Sequence, residues 1–200
     1  MSTITRKAIE DCLKTGALVI TPLLSQGQIN QSSVDVRLGN QFIVFRPHRL
    51  GHLEPFAHDA KYPRKIQERQ IVQYGETLVL HPGVLVLACT LEYVSIPLEL
   101  ECQVEGRSSW ARFGLQIATA SSVEPGFKGV ITLELSNVGT VPLTIMPGVR
   151  VAQLVFHDTK PVPEEPYGKD RKYHTPVGPE FSKLYSDDDW KLFADGRFRK

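Results

Sequence analysis

Short apolar runs, each broken off by proline or glycine, recur along this chain from residue 18 to residue 157. No other feature constrains its fold as strongly. LVITPLL (18–24) is extended and interrupted by Pro22. In SSVDVRLGNQFIVF (32–45), Val34, Val36 and Leu38 alternate with Asp35 and Arg37, and Phe42 and Val44 follow a turn or bulge at Gly39–Asn40. ETLVLHPGVLVLACTLEYVSIP (76–97) reads as two strands about the His81-Pro82-Gly83 turn. LECQVEG (100–106), GLQIATA (114–120), VITLELSN (130–137) and PLTIMPGVRVAQLVFH (142–157) complete the series. Many short strands with no helices between them predict an all-β barrel or jelly roll and argue against a doubly wound sheet.

Both ends of the chain depart from this pattern. Residues 4–15 predict a short helix, capped by Thr5, with Ile9, Cys12 and Leu13 on one face and Gly16 as its stop. The polar stretch 46–70 predicts a surface excursion with at most one short strand. Beyond residue 158, DTKPVPEEPYGKDRKYHTPVGPE has five prolines and almost no core residues, the composition of an arm or flap. SKLYSDDDWKLFADG (182–196) predicts a terminal helix capped by Ser186, with Trp190, Leu192 and Phe193 to bury. The expected organisation is a barrel core with its helix over 1–158 and an arm with a terminal helix over 159–200.

Two hundred residues suffice for one domain with a sizeable core. With 23 basic and 22 acidic residues the net charge is +1, which gives no general case for nucleic-acid or membrane binding. No apolar run reaches eighteen residues, and the N-terminal stretch lacks the apolar segment of a signal peptide. Cys12, Cys89 and Cys102 form no paired framework and read as free thiols of a cytoplasmic protein.

Phosphate-binding GxGxxG and GxxxxGK[ST] loops are absent, as is the HxE…PCxxC arrangement of zinc deaminases. His48, His52 and His58 fall in the polar stretch and read as solvated, so no bound transition metal is expected. GRSSWARFG (106–114) is different. Arg107, Ser108, Ser109 and Arg112 form a compact donor cluster. Guanidinium forks and hydroxyls suit a polyphosphate; a short surface helix capped by Ser108 fits the spacing equally well. Glu134 shares a strand face with Thr132 and Ser136, opposite Ile131, Leu133 and Leu135. On an open sheet that face meets solvent. Lining a cleft between subunits, it would be desolvated and its pKa raised, as proton shuttling requires. Glu124-Pro125-Gly126 reads as a turn, and Phe127 beyond it either stacks on a base or caps the core. In the arm, Tyr167 and Tyr173 interleave with Lys169, Arg171 and Lys172, a composition that could close over an anionic ligand.

With these residues in place, the chain resembles the dCTP deaminases, relatives of the trimeric dUTPases. VITPLLSQGQINQSSVDVRLGNQFIVF, LEYVSIPLELECQVEGRSSWARFGL, TASSVEPGFKGVITLELSN and KYHTPVGP carry the resemblance over most of its length. It implies a distorted jelly-roll β-barrel of the dUTPase-like type, assembled as a homotrimer with sites between subunits. It implies dCTP deamination to dUTP, without zinc, by a water that Glu134 directs at C4 of cytosine. Ser108 and Arg112 would surround the base, the catalytic water and the phosphates. Arg107 and Ser109 match polar motif residues, Ser109 at the phosphates. Thr119 and Ala120 match the cytosine pocket, Glu124 lies near the deoxyribose, and Tyr167, Lys172 and Tyr173 match the closing arm. Magnesium would bridge the phosphates.

The chain departs from the family pattern at several places. Glu124 stands where aspartate is usual, the loop before it is one residue short, and Ser121-Ser122 replace its usual pair. Pro176 lies near the place of an arm glutamine, and Tyr167 is closer than usual to Lys172. A bifunctional enzyme that carries dCTP on to dUMP, and a divergent homologue that binds nucleotide without catalysis, are the alternatives. A pure dUTPase fits less well, because Ser109-Trp110 stands where that relative has glycine after Arg-Ser.

Overall fold

The structure is a computed structural model that describes residues 2–46, 51–55, 59–118, 122–168 and 171–187. Its strands are β1 (Val19–Thr21), β2 (Ser33–Arg37), β3 (Gln41–Phe45), β4 (Gln67–Ile71), β5 (Leu78–Leu80), β6 (Leu85–Ser95), β7 (Leu100–Gly106), β8 (Leu115–Ile117), β9 (Ser122–Val123), β10 (Lys128–Asn137), β11 (Leu143–Ile145) and β12 (Arg150–Asp158). Three short helices accompany them: α1 (Arg6–Thr15), α2 (Tyr62–Ile66) and α3 (Ser108–Ala111).

Pairing is antiparallel throughout these strands. One sheet runs β4-β3-β6-β10-β8, with β1 also on β6; a second runs β2-β12-β7-β9; β5 and β11 form a two-stranded ribbon. Alternation supplies the core: Val36, Phe42, Leu80, Leu135, Ile145 and Phe156, from both larger sheets and the ribbon, are fully buried in one cluster. This is the expected all-β jelly-roll architecture.

The sequence placed the strands better than their partners. The two strands about His81-Pro82-Gly83 exist but do not pair with each other: β5 pairs with β11, whereas β6 lies between β3 and β10. Gly39–Asn40 does not join a hairpin either, because β2 and β3 belong to different sheets. The chain switches sheets there, and Gly39 passes so close to β6 that a Cβ on it would lie 3.0 Å from the Cys89 carbonyl oxygen. In the polar excursion, β4 pairs with the whole of β3 and is preceded by the single helical turn α2. The N-terminal helix begins at Arg6; Thr5 precedes it in extended conformation without a side-chain capping bond, and only Ile9 of its apolar face is fully buried. Near the C-terminus the described residues hold one 3-10 turn at Leu184–Ser186, with Ser186 inside it rather than before it. Trp190, Leu192 and Phe193 lie outside the described residues.

A second layer matters for function. Ile43, Cys89 and Val130 are buried yet stand apart from the main cluster, on the opposite face of the larger sheet. The C-terminal arm covers this face. Val130 N–H donates to the Pro176 carbonyl (2.9 Å), and Glu180 N–H reaches the Thr132 hydroxyl (3.4 Å).

Asn137 ends β10 and ties three segments together. Its fully buried amide donates to the Leu80 and Val141 carbonyls and accepts from Gly139 N–H. Asn137→Ala leaves these groups without a side-chain partner. The expected loss is about 3 kcal/mol of unfolding free energy, from one to three per orphaned buried group with partial rescue by water. Urea denaturation of the variant measures it.

Candidate active site

The donor cluster sits on the single turn α3 at the end of β7. Arg107, not Ser108, occupies the N-cap position. Its N–H is anchored on the Val151 carbonyl, and its carbonyl accepts from the Trp110 and Ala111 N–H groups. The backbone thus closes the turn without a serine cap. Ser108, Ser109 and Arg112 are exposed, so both hydroxyls and the second guanidinium remain presented outward. The Trp110 indole Nε1–H donates to the Arg150 carbonyl (2.9 Å) and pins the turn to β12.

Arg107 is held from below by a residue that the sequence did not single out. Asp35 on β2 is only 3% exposed. Its Oδ2 lies 3.4 Å from Arg107 Nε and 3.1 Å from Arg150 Nη1, while its Oδ1 accepts from the Asn30 amide (3.0 Å). The Arg107 Nη1 also donates to the Arg150 carbonyl (3.2 Å). One buried carboxylate therefore orients two guanidiniums at the foot of the donor turn. Asp35 read as the solvent side of an alternating strand; Ser33 and Asp35 are in fact buried together, so both faces of β2 are covered. A carboxylate in a strand flanked by apolar residues was the available signal, but its two guanidinium partners, Arg107 and Arg150, are more than seventy residues away in sequence.

Beyond α3, the chain becomes β8 and runs antiparallel to β10. Leu115, Gln116 and Ile117 stand opposite Asn137, Ser136 and Leu135, and Ala118 N–H donates to the Glu134 carbonyl (2.9 Å). The donor turn and the Glu134 strand are thus neighbours through one short strand. Across the other edge, Glu134 stands opposite Leu87 of β6. Its side chain is half-buried, and its Oε2 is buried with no hydrogen-bond partner. Burial pushes its pKa above the ordinary carboxylate value, with only its own backbone N–H opposing. The face it occupies, with Thr132 and Ser136, is only partly open to water: all three residues are half-buried, and the arm crosses the face at Thr132.

The Glu124-Pro125-Gly126 turn forms as expected. Phe127 beyond it is buried in the main cluster, so of its two expected roles it takes that of capping the core. Its ring meets that of Tyr167 edge-on at 5.9 Å. Tyr167 N–H donates to the Pro125 carbonyl, so the arm is laid on the turn. Burial and the nearby Glu124 carboxylate raise the Tyr167 pKa, against the N–H of Tyr173, which donates to its oxygen. Gly126 takes φ 82°, and a Cβ there would sit 2.4 Å from the Pro166 Cβ, so only glycine admits this contact.

Lys172 and Tyr173 face the C-terminal segment of their own chain. Lys172 pairs with Asp187; the Tyr173 hydroxyl accepts from Lys183 N–H, and the Lys183 ammonium lies 5.1 Å over the Tyr173 ring. The two are therefore engaged within the arm rather than gathered with Arg107 and Arg112. Thr119 and Ala120, expected at the cytosine pocket, lie outside the described residues. So do His48 and His58; His52 is exposed and bonded to Glu54. Among the described residues, no group of three or more His, Cys, Asp or Glu side chains is placed to hold a metal ion. Nor is any described helix long and apolar enough to cross a membrane.

A single-chain frame therefore presents exposed guanidinium and hydroxyl donors, a half-buried carboxylate on the strand next to β8, and an arm laid over the Glu124–Gly126 turn and the Glu134 strand. Residues 3–159 match the family described as dCTP deaminase-like, and the chain belongs to that family. It is 41% identical over 191 residues to "dCTP deaminase, dUMP-forming" of Methanobrevibacter smithii, an alignment covering 94% of this chain and 97% of that protein. It is 43% identical over 183 residues to "dCTP deaminase" of Halorubrum lacusprofundi, covering 90% and 89%. Among solved structures, the 2′-deoxycytidine 5′-triphosphate deaminase from Agrobacterium tumefaciens superposes with a TM-score of 0.59 at 19% identity. The match covers 76% of this chain and 45% of the length of that one, and it bears on the fold.

Asp35→Asn keeps the shape of the clamp and removes its charge. Both guanidiniums reach solvent, so the expected loss of stability is about 1–2 kcal/mol, below that of a fully buried pair. Thermal unfolding at low and high salt checks this, and the deficit should shrink little with salt because the carboxylate is buried.

Proposed function

We propose that the protein catalyses dCTP + H2O → dUTP + NH3, with Glu134 as the proton carrier. The observation that carries this reading is the Glu134 carboxylate: partly desolvated, with one oxygen buried and unpartnered, in one of the segments that resemble the deaminase family. A passive phosphate binder has no use for such a group, since donors and not acids grip phosphates.

In this reading Arg107, Ser109 and the arm residues Tyr167, Lys172 and Tyr173 hold the triphosphate. Glu124 meets the deoxyribose 3′-hydroxyl, and Thr119 and Ala120 shape the cytosine pocket. Ser108 and Arg112 orient the base and the attacking water. Glu134 takes a proton from that water as its oxygen bonds to C4, and passes a proton to N3. The tetrahedral C4 then expels the exocyclic amine, protonated through the same carboxylate, as ammonia. A carboxyl group with a raised pKa suits both halves of this exchange near neutrality. Magnesium would arrive on the triphosphate as part of the substrate, for the Asp35 carboxylate is already committed to two arginines.

Copies of the chain complete the site in this reading. Phe113, immediately after Arg112, is 73% exposed, and Val138 and Val141 are similarly bare. Val138 N–H donates to the Gly114 carbonyl, so Phe113 and Val138 lie at the same end of the molecule. An apolar surface beside the donor turn fits a homotrimer with sites between subunits. The cytoplasm is the expected compartment, with Cys89 and Cys102 buried as free thiols.

Relatives named dCTP deaminase and relatives named dUMP-forming match at closely similar identity. Chromatography of products from dCTP and from dUTP separates the two end points, dUTP and dUMP. Glu134→Gln should lower dCTP deamination by about 10² to 10⁴-fold while nucleotide binding survives. An effect below tenfold, or no ammonia from the wild type with magnesium across the pH range, overturns the reading. The wild-type rate should rise with pH through the raised pKa of Glu134, since the ionised form accepts the proton. Stability has the opposite sign. A raised folded-state pKa means that ionised Glu134 costs stability above that pKa, and this cost vanishes below the ordinary carboxylate range. Glu134→Gln should therefore raise the unfolding temperature at neutral pH and lose that advantage below about pH 4.

A further inference from the structure

The ladder between β6 and β10 is interrupted three residues before Glu134. Lys128, Gly129 and Val130 stand opposite Ser95, Val94 and Tyr93; then Thr132, Leu133 and Glu134 stand opposite Cys89, Ala88 and Leu87. Three residues of β6, Thr90 to Glu92, thus face the single residue Ile131. The excess is two residues, so the side chains of β10 keep their faces, but every residue after Ile131 is displaced along β6. Without the bulge, Glu134 would lie opposite Cys89 instead of Leu87, about 6–7 Å away at the rise of a strand.

Two side chains hold the bulge. The Thr90 hydroxyl accepts from Ile131 N–H (2.9 Å) and donates to the Glu92 carbonyl (2.8 Å), taking the place of the main-chain partner that the ladder has lost. The Glu92 carboxylate accepts from Arg37 N–H (2.8 Å) and from the Gln28 amide (2.9 Å). Thr90, Glu92 and Gln28 are all essentially inaccessible to solvent. The same Gln28 amide donates to the Asp35 carbonyl (3.0 Å). Strand β2 is therefore the common reference. At Asp35 it fixes Arg107 of the donor turn; two residues on, at Arg37, it fixes Glu92, hence Thr90, hence Ile131.

We infer that Thr90 is a positioning residue: its hydroxyl locks the β6 bulge and so sets where Glu134 lies relative to the donor turn. The inference rests on the deaminase reading for its kinetic consequence, and on the β6–β10 register alone for its structural one. A valine at this position keeps the shape and removes the hydroxyl, which orphans Ile131 N–H in a buried ladder.

The test compares Thr90→Val, Thr90→Ser and Thr90→Ala, with Glu134→Gln as the kinetic control. Thr90→Val should lower kcat for dCTP by about tenfold or more with KM changed by less than about twofold, since substrate contacts are untouched. Thr90→Ser, which keeps the hydroxyl, should restore kcat. Should the valine variant fail to fold, the serine and alanine variants decide, because both lose the methyl and only serine keeps the hydroxyl. Amide hydrogen exchange at Ile131 should be slow in the wild type and in Thr90→Ser, and fast in Thr90→Val or Thr90→Ala. A hydroxyl-free variant with wild-type kcat, a serine variant as impaired as alanine, or an Ile131 amide equally protected in all of them overturns the inference. If the wild type deaminates nothing, the deaminase reading fails, and the exchange at Ile131 still decides whether Thr90 holds the register.

Discussion

A single buried carboxylate, Asp35, governs how the pieces of the site come together. An ionised group 3% exposed to solvent is costly to fold around unless cations and donors compensate it. Its compensation comes from Arg107, Arg150 and Asn30, three residues from three separate segments. Satisfying Asp35 therefore forces the end of β7, the start of β12 and the segment before β2 to converge. The outcome is that Arg107 cannot swing freely at the root of its turn. Coulomb attraction alone would not ensure this, since each guanidinium is partly wet and a surface pair contributes little. Geometry does: the Arg150 carbonyl also receives the Arg107 guanidinium and the Trp110 indole, so turn and clamp share one acceptor.

Much of this was legible in the sequence because strand alternation is local. The runs that became β2, β3, β6, β7, β10 and β12 were each readable as strands, β2, β3 and β10 showed alternation, and the Glu134 face followed from parity alone. The donor turn was equally plain from four polar side chains within six residues. Partners were not legible. β5 and β6 flank a good turn sequence, yet pair elsewhere, because a turn fixes the reversal of the chain and not the sheet that each strand joins. Asp35 read as the polar side of an alternating strand, yet it is buried, as is Glu92 on β6. Nothing local distinguishes a polar residue facing water from one facing a distant guanidinium or a neighbouring N–H.

The arm shows the same limit from the other direction. Its prolines and charges suggested a segment without a core, and Lys172 and Tyr173 suggested a grip on an anion. In the structure the arm has partners of its own: Tyr167 on the Pro125 carbonyl, Pro176 on Val130, Lys172 with Asp187, and Lys183 over Tyr173. Composition had no means of showing that Pro176, Gly178 and Pro179 would be buried, or that hydrogen bonds to β10 would hold the arm. A phosphate that recruits Lys172 must compete with Asp187, so ligand affinity is reduced by whatever that pair contributes in the free chain.

Glu134 shows why these constraints belong together. Leaving a carboxylate oxygen buried without a partner is a local defect that folding alone would remove, for glutamine or leucine on that face would stabilise the sheet. The defect requires the arm over Thr132 to keep water away, and it requires a strand whose register cannot slide to relieve it. The bulge at Thr90 to Glu92 supplies the second condition by anchoring β6 on β2, and Asp35 anchors the donors on that same strand. A slide of β10 would give Glu134 a new neighbour and a new hydration state. Register and donor placement are thus two consequences of one reference strand, since residues 33–37 hold Glu92 through the Arg37 N–H and Arg107 through the Asp35 carboxylate.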